Sequence, residues 1–199
     1  MKFIIGEIPK NIHHDFKEFI RLKEPEKSKF MYIASFIQVA LWGVFFFVWW
    51  MIDGNTPKYF FQTGFIGYAL ILLIVFPVHE LFHGMIYPIK DSKKIMFGFW
   101  PKMGAFYAMY DGALTRNRWL LVYVMPFFLI SVIPMFVALY TTVPSWLVIA
   151  SILNAGFAAG DIAAITMIAY QVPKQAIIVQ NGWDTYWRST VNKSTKQEK

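Results

Sequence analysis

"GFIGYALILLIVFPVHELFHGMIY", residues 64–87, decides how the rest of the chain is to be understood. As a helix it is long enough and apolar enough to cross a bilayer, for which about 20 residues suffice. Yet His79, Glu80 and His83 stand together near one end. An ionisable residue inside a span costs about 2.5–3.5 kcal/mol on insertion scales, so a cluster of three needs a partner that offsets it.

Outward from this segment, three more stretches have the same character: 30–52, 119–140 and 145–170. The chain is 57% hydrophobic and 19% aromatic, with a mean hydropathy of +0.44, against roughly 45–50% apolar residues in soluble domains. The expected fold class is an all-α polytopic membrane protein with four transmembrane helices. At 199 residues it is expected to form a single membrane-embedded domain: a cytoplasmic N-terminal segment over 1–29, the core over 30–170, and a cytoplasmic tail over 171–199. No internal repeat or low-complexity linker interrupts it.

Lys and Arg distribute unevenly between the spans. Seven precede residue 30, only Lys58 lies between the first two spans, six lie between the second and third, none between the third and fourth, and five follow residue 170. This alternation places both termini and the 88–118 loop in the cytoplasm, and the chain in the cytoplasmic membrane. A net charge of +7 in such a protein suits topology and anionic headgroups, and no basic run interleaved with stacking aromatics suggests nucleic acid. Cysteine is absent, which excludes disulfides, thiolate metal sites and thiol catalysis. The first residues lack the apolar core and cleavage site of a signal peptide, so no removal is expected.

Between the spans, Ile12, Phe16, Phe19 and Ile20 fall on one helical face flanked by charge, which predicts a short amphipathic helix over 11–22 on the inner membrane surface. His13 and His14 read as solvated residues there. The 88–118 loop is long and rich in aromatics, and "KIMFGFW" and "GAFYAMY" around "PKMG" predict a membrane-associated β-hairpin. In the tail, Asn181-Gly182 between β-prone runs predicts a second hairpin.

The spacing in H-E-x-x-H puts His79 and His83 one turn apart on one helix face, with Glu80 beside them, an arrangement suited to zinc. A catalytic zinc takes three protein ligands and keeps one position open. Asp161 is the only acid inside another span, and its depth matches that of His79: both lie on the order of 12–14 Å from the cytoplasmic ends of their helices. The alternative for Asp161 is a structural hydrogen-bond partner. Asn154, two turns before Asp161, is placed either to hydrogen-bond a substrate carbonyl or to join helix to helix. Pro77 in the second span, and Pro126 and Pro134 in the third, are expected to bend their helices.

These residues resemble the site-2-type intramembrane metalloproteases, in which an H-E-x-x-H span pairs with an aspartate on a later span. More closely, "VHELFHG", "FGFWP", "LTRNRW" and "NAGFAAGDIAAI" resemble a bacterial zincin peptidase family of unknown function, over about residues 60–170. The resemblance implies His79, His83 and Asp161 as zinc ligands, Glu80 as general base, and the loop strands as substrate holders. The chain departs from the site-2 pattern in lacking a proline after Asn154 and in having Ile162 after Asp161.

The expected function is therefore hydrolysis of peptide bonds in a membrane protein or peptide, by water activated at zinc with Glu80 as base. The alternative is a non-catalytic membrane scaffold that keeps a metalloprotease-like fold. A transporter would need polar groups through the whole depth, and the first and third spans offer little beyond Gln38 and Ser131. Haem fits poorly, because its axial ligands stand on opposite faces of the ring while His79 and His83 share one side of one helix. An aspartyl protease built on Asp111 and Asp161 leaves the histidines unexplained.

Overall fold

The computed structural model describes residues 1–10 and 16–190. The chain divides into two compact units, one of residues 25–83 and 123–164, the other of residues 1–24, 84–122 and 165–199.

The first unit is helical. Helix α1 covers Lys27–Ile52, α2 Thr56–Gln62 and α3 Gly64–Ile86, the last of which leaves the unit after His83. Helix α4 (Arg116–Pro126) enters it at Tyr123 and runs on through a π-helical turn, Phe127–Val132, into α5 (Ile133–Ala138). Helix α6 is Ser145–Phe157, and α7 is Ala159–Gln171. Among the described residues, Ser28–Ile52, Gly64–Ile86 and Arg116–Ala138 are each long and apolar enough to cross a membrane. The fourth stretch is different: α6 and α7 meet at a bend of 44° at Ala158.

Helix α6 is the axis of this unit, since Val148, Ile149, Ala150, Ser151, Ile152, Asn154, Ala155 and Gly156 are all buried. One face packs with Phe45 and Trp49 of α1, and another with Ile71 and Val75 of α3. A side chain on Gly156 would stand 2.0 Å from Trp42 Nε1, so the absent Cβ is what lets α1 and α6 approach. On the far sides of α1 and α3, Phe36, Val39, Phe65, Ile66, Leu73 and Ile74 are exposed. Apolar belts of this extent mark a surface that meets lipid rather than water.

The second unit holds two sheets, which corrects the all-α expectation. In one sheet β3 (Ile95–Trp100) and β4 (Ala105–Tyr110) pair antiparallel about a turn containing Gly104 at φ 60, and β1 (Lys2–Ile5) adds in parallel to β3. The other sheet runs β2 (Ile20–Arg21), β7 (Asp184–Ser189), β6 (Ala176–Asn181), β5 (Leu114–Thr115). Its hairpin closes through Gly182 and Trp183, with Asn181 paired to Asp184 and Gly182 at φ 62 in the first central position. Residues 20–21 are thus strand and not helix: edge pairing with β7 satisfies backbone groups that a lone short helix would leave to solvent. The remainder of the expected 11–22 helix includes His13 and His14, which lie outside the described residues.

Aromatic packing holds this unit. Tyr87 stacks on Tyr110 at 5.4 Å between centroids and meets Trp119 edge-on at 6.0 Å, and Trp119 Nε1 donates to the Ile178 carbonyl at 3.1 Å. Arg118 Nε donates to the Ile86 carbonyl at 2.8 Å and Arg116 to that of Ala169 at 3.1 Å. These guanidinium groups satisfy carbonyls in the last turns of α3 and α7, where the helix dipole favours positive charge. Burial, together with a hydrogen bond to the Asp91 carboxylate, pushes the Tyr110 phenol up to about 12.

Candidate metal centre

The candidate site lies wholly within the helical unit. His79 and His83 face it from α3, their rings 4.8 Å apart and nearly perpendicular, and both side chains are buried. Their spacing of one turn does this directly. Pro77 removes a backbone donor in the turn just before them. Ligand atoms of His79, Glu80 and His83 fall within 4.8 Å of one another.

Asp161 arrives from α7. Its Oδ2 is 3.0 Å from His79 Nε2 and 3.5 Å from His83 Nε2. The break at Ala158 makes this possible: α7 starts afresh at Ala159, so Asp161 stands in its first turn, at the end where the helix dipole favours an anion. Asp161 Oδ2 thus lies within 3.5 Å of a ring nitrogen of both imidazoles. A carboxylate oxygen that meets both imidazoles stands where a third donor would, and Glu80 belongs to the same group.

Asn154 is fully buried and contacts the opposite side of the His79 ring, with Oδ1 2.8 Å from Nδ1. Its Nδ2 lies 3.2 Å from the Pro126 carbonyl and 2.8 Å from Ser131 Oγ. A carbonyl only accepts, so the amide nitrogen must face Pro126 and the amide oxygen must face His79. His79 Nδ1 therefore carries the proton, and in the neutral ring Nε2 presents its lone pair to Asp161. Further back, Ser151 Oγ donates to the Ser131 carbonyl at 2.8 Å and accepts from Trp49 Nε1 at 2.8 Å. This row of polar groups links α1, α6, the π-helical turn and α3.

The consequence for a metal is direct. Two acceptors, an imidazole lone pair and a carboxylate oxygen, face each other at 3.0 Å, and the second imidazole converges on the same oxygen. Such groups repel unless a proton or a cation lies between them, and one divalent ion serves all three together. Donors on a tetrahedral zinc with bonds near 2.1 Å stand about 3.4 Å apart, close to the separations found. The residues fit zinc in both chemistry and spacing.

Sequence reasoning named His79, Glu80, His83, Asp161 and Asn154, and the structure brings all five to one place. It missed Ser131, Ser151 and the Pro126 carbonyl. The available signal was a serine inside an apolar span five residues after a proline, a spacing that tells nothing of the π-helical turn that aims it. No curated protein and no solved structure matches the chain. A family model described as "Putative zincin peptidase" matches residues 72–177, which include both histidines, Glu80, Asn154 and Asp161. The chain belongs to that family.

Proposed function

We propose that the protein is a zinc metallopeptidase of the cytoplasmic membrane that hydrolyses peptide bonds of membrane proteins or membrane-bound peptides. The observation that carries this reading is the convergence of His79 Nε2, His83 Nε2 and Asp161 Oδ2, three potential ligand atoms from two helices, with the His79 proton held on the far side of its ring by Asn154. These three residues hold the ion. Zinc held there supplies a Lewis acid and brings the pKa of a water from 15.7 to about 7.

Glu80 follows His79 in the chain, beside the donor group, where a carboxylate accepts the proton of the attacking water and returns it to the leaving amine. In this reading the bent pair α6 and α7 forms the fourth crossing, both termini are cytoplasmic, and the centre lies within the membrane. A helical substrate hides its carbonyls, so it must be extended before cleavage.

The test uses full-length protein in liposomes with a set of peptides that each carry one membrane span. Cleavage that needs zinc, stops with a chelator and is lost in Glu80→Gln supports the reading. Cleavage by Glu80→Gln at the wild-type rate, or cellular function unchanged in that variant, would favour a scaffold.

A further inference from the structure

We propose that Asn154 is the positioning residue of this centre: it locks His79 in the Nδ1–H tautomer, so that Nε2 alone faces the metal. The inference rests on the zinc reading above and adds to it a residue that touches neither ion nor substrate.

The argument is one of hydrogen-bond polarity. Asn154 is 0% exposed and each polar atom of its carboxamide has a protein partner. A group that binds a peptide in transit needs a donor or acceptor facing open space, and this one faces none. Its orientation is set by the Pro126 carbonyl, which cannot donate, and reinforced by Ser131 Oγ. The first belongs to the cap of the π-helical turn Phe127–Val132 and the second lies within it, and both meet Asn154 of α6. Ser131 is itself held through its carbonyl by Ser151, and Ser151 by Trp49. Two runs of donation meet at Ser131, one from the buried Trp49 through Ser151 and one from His79 through Asn154. Histidine ligands commonly donate their second N–H to such an acceptor, which fixes the ring and raises its basicity, and loss of the acceptor costs 10–100-fold in metal affinity or activity.

The experiment measures zinc affinity by chelator competition on the full chain in detergent, for the wild type, Asn154→Leu and Asn154→Asp, with thermal unfolding of each zinc-free protein alongside. Leucine keeps the volume and offers no acceptor. Aspartate keeps the acceptor toward Nδ1 but loses both donors, so it weakens the fold without freeing the ring. The expected result is affinity lowered about 10–100-fold in Asn154→Leu and largely recovered in Asn154→Asp, even though both variants unfold earlier. A merely structural role makes affinity follow stability, so the two variants would bind zinc alike; that outcome overturns the proposal, as does wild-type affinity in Asn154→Leu. A ¹⁵N spectrum of zinc-free wild type with labelled histidine adds a readout independent of metal: His79 Nδ1 is expected protonated, and an unprotonated Nδ1 overturns the tautomer assignment. Failure of the wild type to bind zinc while Nδ1 is protonated would remove the zinc reading and leave the tautomer lock standing.

Discussion

His79 and Asp161 are 82 residues apart in the chain, and their Nε2 and Oδ2 atoms face each other at 3.0 Å. With the His79 proton on Nδ1, donated to Asn154 Oδ1, both atoms are acceptors, so the contact is satisfied by a cation and strained by its removal. Chelation should therefore lower the thermal stability of the protein. Where free zinc exceeds its dissociation constant about 1,000-fold, the ligand term is about 4 kcal/mol. Differential scanning fluorimetry with and without chelator checks this, and in Asp161→Leu the difference between the two traces should vanish.

Glu80 stands next in sequence to His79, and in the proposed mechanism it is the base while Asp161 completes the ligand set. Replacing it by glutamine keeps the shape and removes the base. Bound zinc should stay at the wild-type level while the hydrolysis rate falls about 10²–10⁴-fold, the usual range for a general base. Parallel metal analysis and single-turnover cleavage separate the two effects; simultaneous loss of metal would place Glu80 among the ligands instead.

Gly156 sits where α6 meets Trp42, with room for no Cβ. Alanine there pushes the indole away and breaks its 3.2 Å bond to the Leu153 carbonyl. The expected destabilisation is about 1–3 kcal/mol, as for other overpacked sites. Unfolding in detergent followed by circular dichroism measures it, and the paired variant Gly156→Ala with Trp42→Phe should recover part of the loss.

In the sheet-containing unit, Trp119 is 1% exposed and its indole N–H reaches the Ile178 carbonyl. Trp119→Phe leaves that buried carbonyl short of a donor and opens space beside Tyr87. A loss of about 0.5–1.5 kcal/mol is expected from the missing hydrogen bond alone. Equilibrium unfolding of the variant in the same detergent gives the number.

Much of the helical unit was legible because apolar length is a local property, and so was the His79, Glu80, His83 cluster, since i to i+4 spacing fixes a face. Asp161 was picked as the one acid inside another apolar stretch, and its carboxylate does meet both imidazoles. What escaped was set by distant partners. Ile20 fits a helical period with Ile12 and Phe16, but pairing with Trp187 of β7, far along the chain, overrides that weak preference. Strand β1 is four residues, Lys2–Ile5, made regular only by β3 beside it. The role of Asn154 depends on a carbonyl of Pro126, a backbone atom that every residue possesses and no sequence marks.

The central claim is tested most directly by zinc content per chain in the purified full-length protein, measured by mass spectrometry for the wild type, His79→Ala and Asp161→Ala. The expected result is about one zinc per wild-type chain and almost none in either variant, each still folded by circular dichroism. A full complement of zinc in Asp161→Ala would contradict the assignment of that carboxylate, and its absence from the wild type would contradict the account of the site.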